Sequence, residues 1–161
     1  MQTHSPPQFI VGIGASAGGL DALERLFNQV PPESGAAFVV IQHLAPDFKS
    51  LMPQILGRQT TLPIQIAEDG LEVEANHIYL NTPRHTLTIE NGILHLEEYK
   101  EQRGAIFHPI NSFFESLAKD LGDRAVCVVL SGTGTDGTEG AVAVRQAGGL
   151  GITQEIGKAH V

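Results

Sequence analysis

The stretch Phe9 to Leu20, FIVGIGASAGGL, decides how the rest of the chain is read. An apolar run, Phe9-Ile10-Val11, leads into Gly12-Ile13-Gly14-Ala15-Ser16-Ala17-Gly18-Gly19, after which Leu20, Leu23, Leu26 and Phe27 recur at helical spacing. That order predicts a strand, a tight glycine turn and a helix. Glycine accepts positive φ and close backbone approach, so a serine set between glycines is lifted clear of its neighbours at a strand end. Ser16 is therefore the candidate nucleophile.

Two patterns overlap on these residues. Gly14-Ala15-Ser16-Ala17-Gly18 fits G-x-S-x-G, in which a serine sits on a strained strand-to-helix turn. Gly12 to Ala17 also fits G-x-G-x-x-G/A, a turn that lays a pyrophosphate on a helix N-terminus. A plain strand-to-helix connection needs glycines as well, so the choice among the three rests on the remainder of the chain.

Two further apolar runs resemble the first. Ala37-Phe38-Val39-Val40-Ile41 follows the loop Pro31-Pro32-Glu33-Ser34-Gly35 and ends in Gln42-His43. Ala125-Val126-Cys127-Val128-Val129-Leu130 ends in Ser131-Gly132-Thr133-Gly134-Thr135-Asp136-Gly137 and then a helical run with Ala141, Val142, Val144 and Ala147. Unbroken runs of this kind are strands buried on both faces, paired in parallel through right-handed crossovers. Polar residues just past them lie at the carboxyl ends, where open parallel sheets hold their ligands. Neighbouring strands are about 4.8 Å apart, so side chains from adjacent ends can meet. Ser16, His43 and Asp136 all occupy such ends. Each also has an ordinary explanation taken singly: His43 as a hydrogen-bonded loop residue, Asp136 as the N-cap of the helix after it.

The middle third departs from strand–helix alternation. Lys49 to Leu56 reads as a short helix interrupted by Pro53, and Pro63–Ala67 and His77–Leu80 read as short strands. Thr86–Ile89 and Ile93–Leu96 flank Glu90-Asn91-Gly92 and form a hairpin with one face buried. The expectation is an antiparallel extension of the sheet, carrying His77, His85 and His95. Those histidines lack the helical pairing or cysteine partners of a metal site, so no metal or other cofactor is expected. His85, after Asn81-Thr82-Pro83-Arg84, keeps a substrate-side role. Lys100 to His108 is polar, and Pro109 opens an amphipathic helix with Ile110, Phe113, Phe114, Leu117, Ala118 and Leu121, ending before Gly122. Gly148 to Thr153 is the last strand, with a short tail to Val161.

At 161 residues the chain suits one domain: a flexible segment over 1–8 and a folded unit over 9–161. Eighteen acidic against ten basic side chains, a formal charge of −8, disfavour a nucleic-acid partner, and no local basic patch offsets them. The single cysteine, Cys127, lies inside an apolar run and reads as core. The N-terminal MQTHSPPQ lacks the order of a secretory signal, and no run approaches the roughly 20 apolar residues of a membrane span. A cytoplasmic protein without membrane insertion is expected.

A serine hydroxyl needs a histidine to take its proton and a carboxylate to hold the imidazole tautomer, and the chain supplies one of each at strand ends. The order Ser, His, Asp differs from that of α/β-hydrolases, chymotrypsin and subtilisin.

The blocks Gly14–Gly19, Gln42-His43, Pro83–His85 and Ser131–Gly137 closely resemble the catalytic domain of CheB, the chemotaxis protein-glutamate methylesterase, over about Phe9 to Thr153. The resemblance implies hydrolysis of methyl esters on chemoreceptor glutamates with release of methanol, and deamidation of receptor glutamines. It makes Ser16 the nucleophile, His43 the acid–base and Asp136 its orienting carboxylate, with the backbone N–H of Thr133 at the oxyanion and Ala17 beside it. The family usually has methionine at the first of those two positions and threonine at the second. It also implies a methylated chemoreceptor cytoplasmic domain as partner. A start of the catalytic domain so close to Met1 resembles fusion proteins that carry a receptor methyltransferase domain, and the absence of a closing G-M-P segment suggests a C-terminally truncated domain.

The fold expected is α/β, a mainly parallel doubly wound (Rossmann-like) sheet with an antiparallel hairpin extension. Two rival functions remain. A dinucleotide site requires an acidic residue after the second strand, where Gln42-His43 stands. A catalytically impaired docking or regulatory module of a fused chemotaxis protein retains the same residues without turnover.

Overall fold

A computed structural model describes residues 5–16, 19–45, 51–100, 106–130 and 132–154. In chain order the elements are β1 (Phe9–Ala15), α1 (Leu20–Gln29), β2 (Ala36–Gln42), α2 (Met52–Leu56), β3 (Ile64–Ile66), β4 (Leu71–Glu72), β5 (Ile78–Leu80), β6 (His85–Glu90), β7 (Ile93–Glu98), α3 (Pro109–Leu121), β8 (Ala125–Val129), α4 (Thr138–Gln146) and β9 (Leu150–Thr153). Of the helix expected from Lys49 to Leu56, Lys49 and Ser50 lie outside the described residues, Leu51 is the N-cap, and Met52–Leu56 is α2.

Six strands form a parallel sheet in the order β3-β5-β2-β1-β8-β9. The three long apolar runs are its centre. Successive strands from β1 to β2 move one way along the sheet and from β8 to β9 the other, so right-handed crossovers lay helices on opposite faces. On one face, Leu23 and Phe27 of α1 and Met52 and Leu56 of α2 pack with Ile13, Phe38 and Val40. Phe27 meets Phe38 edge to face, with centroids 5.5 Å apart. On the other, Ile110, Phe113, Phe114 and Leu117 of α3 and Ala141 and Val144 of α4 pack with Ile10, Val39 and Ile41. Cys127, in the middle of β8, is fully buried there, and burial pushes its thiol up to about 11. This is the doubly wound architecture expected.

Gly12 and Gly14 do not form the turn. They lie inside β1, which runs on to Ala15, and they face α3. A Cβ on Gly12 would stand 2.9 Å from a Phe114 ring carbon, and one on Gly14 would stand 2.6 Å from an Ile110 methyl. Their small size lets α3 lie directly on the strand, and the chain turns only after Ala15. The G-x-G of the dinucleotide pattern is thus a packing feature of a strand.

The antiparallel hairpin is present but stands apart from the parallel sheet. β6 and β7 pair around Asn91-Gly92, both at positive φ, and join β4 in a separate three-stranded sheet. Its inner residues Leu87, Ile89 and Leu94 share the α3 side of the core. α3 also supplies polar anchors: Ser116 Oγ accepts the Ile89 N–H at 3.1 Å, and the Asp120 carboxylate accepts those of Asn91 (2.7 Å) and Gly92 (3.0 Å). β3 and β5, in contrast, run parallel in the main sheet; β5 is wholly buried beside β2.

Candidate active site

β2, β1 and β8 are neighbours at the centre of the sheet, so the segments leaving their carboxyl ends converge. Ser16 follows β1, His43 follows β2, and Asp136 lies in the loop between β8 and α4. This is where the winding direction reverses, the position at which open α/β sheets hold ligands.

Ser16 is half-buried, and its carbonyl oxygen accepts the Gly19 N–H at 3.0 Å and the Gln42 side-chain N–H at 3.3 Å. The end of β2 is fixed in turn by Asn81, at the end of β5. Asn81 Oδ1 accepts the Gln42 N–H at 3.0 Å, and its Nδ2 donates to the Gln42 carbonyl at 2.9 Å. His43 therefore leaves a strand end held by a buried side chain. From the β8 side, Gly132 closes against the serine: a Cβ there would stand 2.9 Å from Ser16 Oγ, at a backbone φ of +94°.

Asp136 is 3 % exposed and, among the described residues, accepts three hydrogen bonds. Oδ2 takes His43 Nε2 at 2.6 Å and the Ile110 N–H at 3.1 Å, and Oδ1 takes the Asn111 N–H at 2.8 Å. Burial alone would raise its carboxyl, but the bonds from His43, Asn111 and Ile110 outweigh burial and hold it below the usual carboxylate value. An ionised carboxylate only accepts, so the proton of the short bond sits on Nε2 and the basic nitrogen of the neutral ring is Nδ1. The His43 side chain is 39 % exposed, which leaves the ring reachable from outside.

Asp136 caps a helix, as aspartates after strands commonly do, but not its own. The N-cap of α4 is Gly137, at φ +106°, while Asp136 receives the first free N–H groups of α3. Asn111, near the start of α3, returns the bond: its Oδ1 accepts the N–H of Gly137 at 2.9 Å and of Gly140 at 2.8 Å. Neither Asn111 nor Asn81 stands out as a site residue in the sequence. The available signal was position, since Asn111 is a polar residue three before Phe114 on the apolar face of α3.

Thr133 is buried between Gly132 and Gly134, both at positive φ. Ala17 and Ser131 lie outside the described residues. His85 opens β6, and its Nδ1 is 2.8 Å from the Pro83 carbonyl and 3.1 Å from Thr82 Oγ1, so that nitrogen serves the turn before the hairpin.

The sequence model of the CheB methylesterase family matches residues 11–161. The chain belongs to that family. The CheB methylesterase catalytic domain of Thermotoga maritima superposes with a TM-score of 0.80 at 29 % identity, covering 95 % of this chain and 82 % of that one. A protein-glutamate methylesterase/protein-glutamine glutaminase of Pseudomonas aeruginosa is 37 % identical over 150 residues, 92 % of this chain and 44 % of the relative. One from Myxococcus xanthus is 34 % identical over 152 residues, again 92 % and 44 %. The chain thus spans less than half the length of these CheB-type relatives. An uncharacterised 104.1 kDa protein of Rhodobacter capsulatus is 42 % identical over 104 residues, 65 % of this chain but 11 % of that protein. Among the described residues no helix is long and apolar enough to cross a membrane.

Proposed function

We propose that this domain is a serine hydrolase acting on methyl-esterified glutamates of a chemoreceptor cytoplasmic domain, releasing methanol, and on receptor glutamines, releasing ammonia. The observation that carries the reading is the 2.6 Å bond between buried Asp136 and His43 Nε2, at the same sheet edge as Ser16. The names of the relatives supply the substrate class.

In this mechanism His43 Nδ1 takes the Ser16 hydroxyl proton as Oγ attacks the ester carbonyl carbon. The carbonyl π pair moves onto oxygen, and the Thr133 N–H stabilises that charge. As the tetrahedral intermediate collapses, the bond to the methoxy oxygen breaks and His43 returns its proton to the leaving group, forming methanol. Water then attacks the acyl-enzyme with His43 as base; the glutamate carboxylate departs and the proton returns to Ser16. Asp136 stays ionised throughout and steadies the imidazolium. The proposal also gives His85 a substrate-side contact through its other ring nitrogen. The site needs no cofactor.

The matched stretch is 11 % of the Rhodobacter relative, so such a domain occurs within a much longer chain; we further propose that this one adjoins a receptor methyltransferase domain. A cytoplasmic setting suits that substrate.

Methanol release from methylated chemoreceptor membranes tests the proposal. The wild-type chain should release it and Ser16→Ala should not. Equal release by both would remove Ser16 from the mechanism; release by neither would favour the docking-module reading.

A further inference from the structure

The two helices that flank Asp136 share an unusual arrangement. Neither α3 nor α4 has a side-chain hydrogen bond from its own N-cap, His108 or Gly137. Two N–H groups at each start are instead satisfied by a residue from the other segment. Asp136 serves Ile110 and Asn111 of α3, and Asn111 serves Gly137 and Gly140 of α4. Both side chains are buried, at 3 % and 6 % exposed. The exchange forms a closed loop of contacts in which the residue after Asp136 is gripped by the residue that Asp136 itself grips.

Resting on the hydrolase reading, we infer that Asn111 is a positioning residue for Asp136, setting the direction from which that carboxylate meets His43. The backbone there is not self-locking, because Gly137 at φ +106° carries no side chain and Gly134 also lies at positive φ. The Asn111 carbonyl is what fixes Gly137 to the start of α3. With it removed, two N–H groups lose their acceptor at once, and the Asp136 backbone loses its tie through Gly137 to α3, leaving the carboxylate's own bonds to Ile110 and Asn111 as what remains of that link. A displacement approaching 1 Å at a catalytic group costs on the order of 10²-fold in rate. Packing alone would not call for this geometry: a single bond would join the helices, whereas the reciprocal pair also aims the carboxylate.

The experiment combines turnover with the low-field proton resonance of the His43 Nε2–H on Asp136, identified by its loss in Asp136→Asn and recorded where the imidazole is protonated. Asn111→Ala should shift or abolish that resonance and lower kcat by about 10²-fold with KM little changed. Asn111→Asp, whose carboxylate can accept the same two N–H bonds, should keep the resonance and most of the turnover. Ser116→Ala removes a side-chain bond farther along the same helix and should leave the resonance in place even where it lowers stability. If Asn111→Ala does not fold, Asn111→Ser, too short to span both donors, should show the same loss. An unchanged resonance in Asn111→Ala or Asn111→Ser overturns the inference, as does an equal loss in Ser116→Ala. The resonance decides even if the wild-type chain hydrolyses no ester, so failure of the hydrolase reading is a separate outcome.

Discussion

The chain turns from β1 into α1 through Ser16 and Gly19, and from β8 into α4 through a longer loop that contains Asp136. After β1, the described contacts are two hydrogen bonds onto the Ser16 carbonyl, and Gly19 sits at an ordinary φ of −82°. After β8, Gly132, Gly134 and Gly137 all adopt positive φ, and Asn111, Ile110 and His43 bind the loop. The same order of apolar strand, glycines and helix thus yields a half-exposed hydroxyl in one place and a buried carboxylate in the other. Glycines mark where a chain bends, but long-range partners decide which side chain is left to react.

The most damaging change to the second turn should be Asp136→Asn. The amide disturbs the tautomer of His43, and kcat should fall by about 10⁴-fold in methanol-release assays, with the fold retained. Next comes Gly132→Ala, which forces a Cβ to 2.9 Å from Ser16 Oγ at φ +94°. Strain of roughly 1–3 kcal/mol at the nucleophile corresponds to about one to two powers of ten in rate. Gly140→Ala should act on stability instead: its Cβ would stand 2.6 Å from Phe114 Cβ and 3.1 Å from Asn111 Cα, an overpacking cost of about 1–3 kcal/mol by urea unfolding. Gly19→Ala, in the first turn, has the Ser16 carbonyl oxygen at 3.2 Å as its tightest described contact, with Ala15 Cβ at an ordinary 3.5 Å, and should change stability by less than about 0.5 kcal/mol. If Gly19→Ala proves as harmful as Gly140→Ala, the two turns are equally constrained and the contrast fails.

pH sharpens the same contrast. The folded Asp136 carboxyl lies below its ordinary value, so its stabilisation is present above the unfolded value of about 3.9 and is lost as pH falls through the lower folded value. The urea midpoint of the wild-type chain should exceed that of Asp136→Asn at neutral pH, and the gap should narrow below about pH 4. A constant gap would mean that the charge of Asp136 contributes nothing to the fold.

The central strands were legible because burial on both faces leaves an unbroken apolar run, and a polar residue that ends such a run marks the sheet edge. The sheet-edge positions of Ser16, His43 and Asp136 were legible that way, and the hairpin from Asn91-Gly92 between alternating residues. Gly12 and Gly14 were misread because a glycine that makes room for a helix looks the same in sequence as one that makes a turn. The hairpin's separation from the main sheet, and the roles of Asn81 and Asn111, depend on contacts between residues tens of positions apart. No local pattern encodes which helix Asp136 caps.

The position of Cys127 gives the molecule an internal clock. It is the single thiol of the chain, it is sealed in the middle of β8, and its proton is held up to about 11. A thiol reagent in solution reaches it only while the central sheet is open, so the labelling rate under native conditions measures how often β8 parts from its neighbours. No dye, tag or engineered probe is needed, and each variant above carries the same timer.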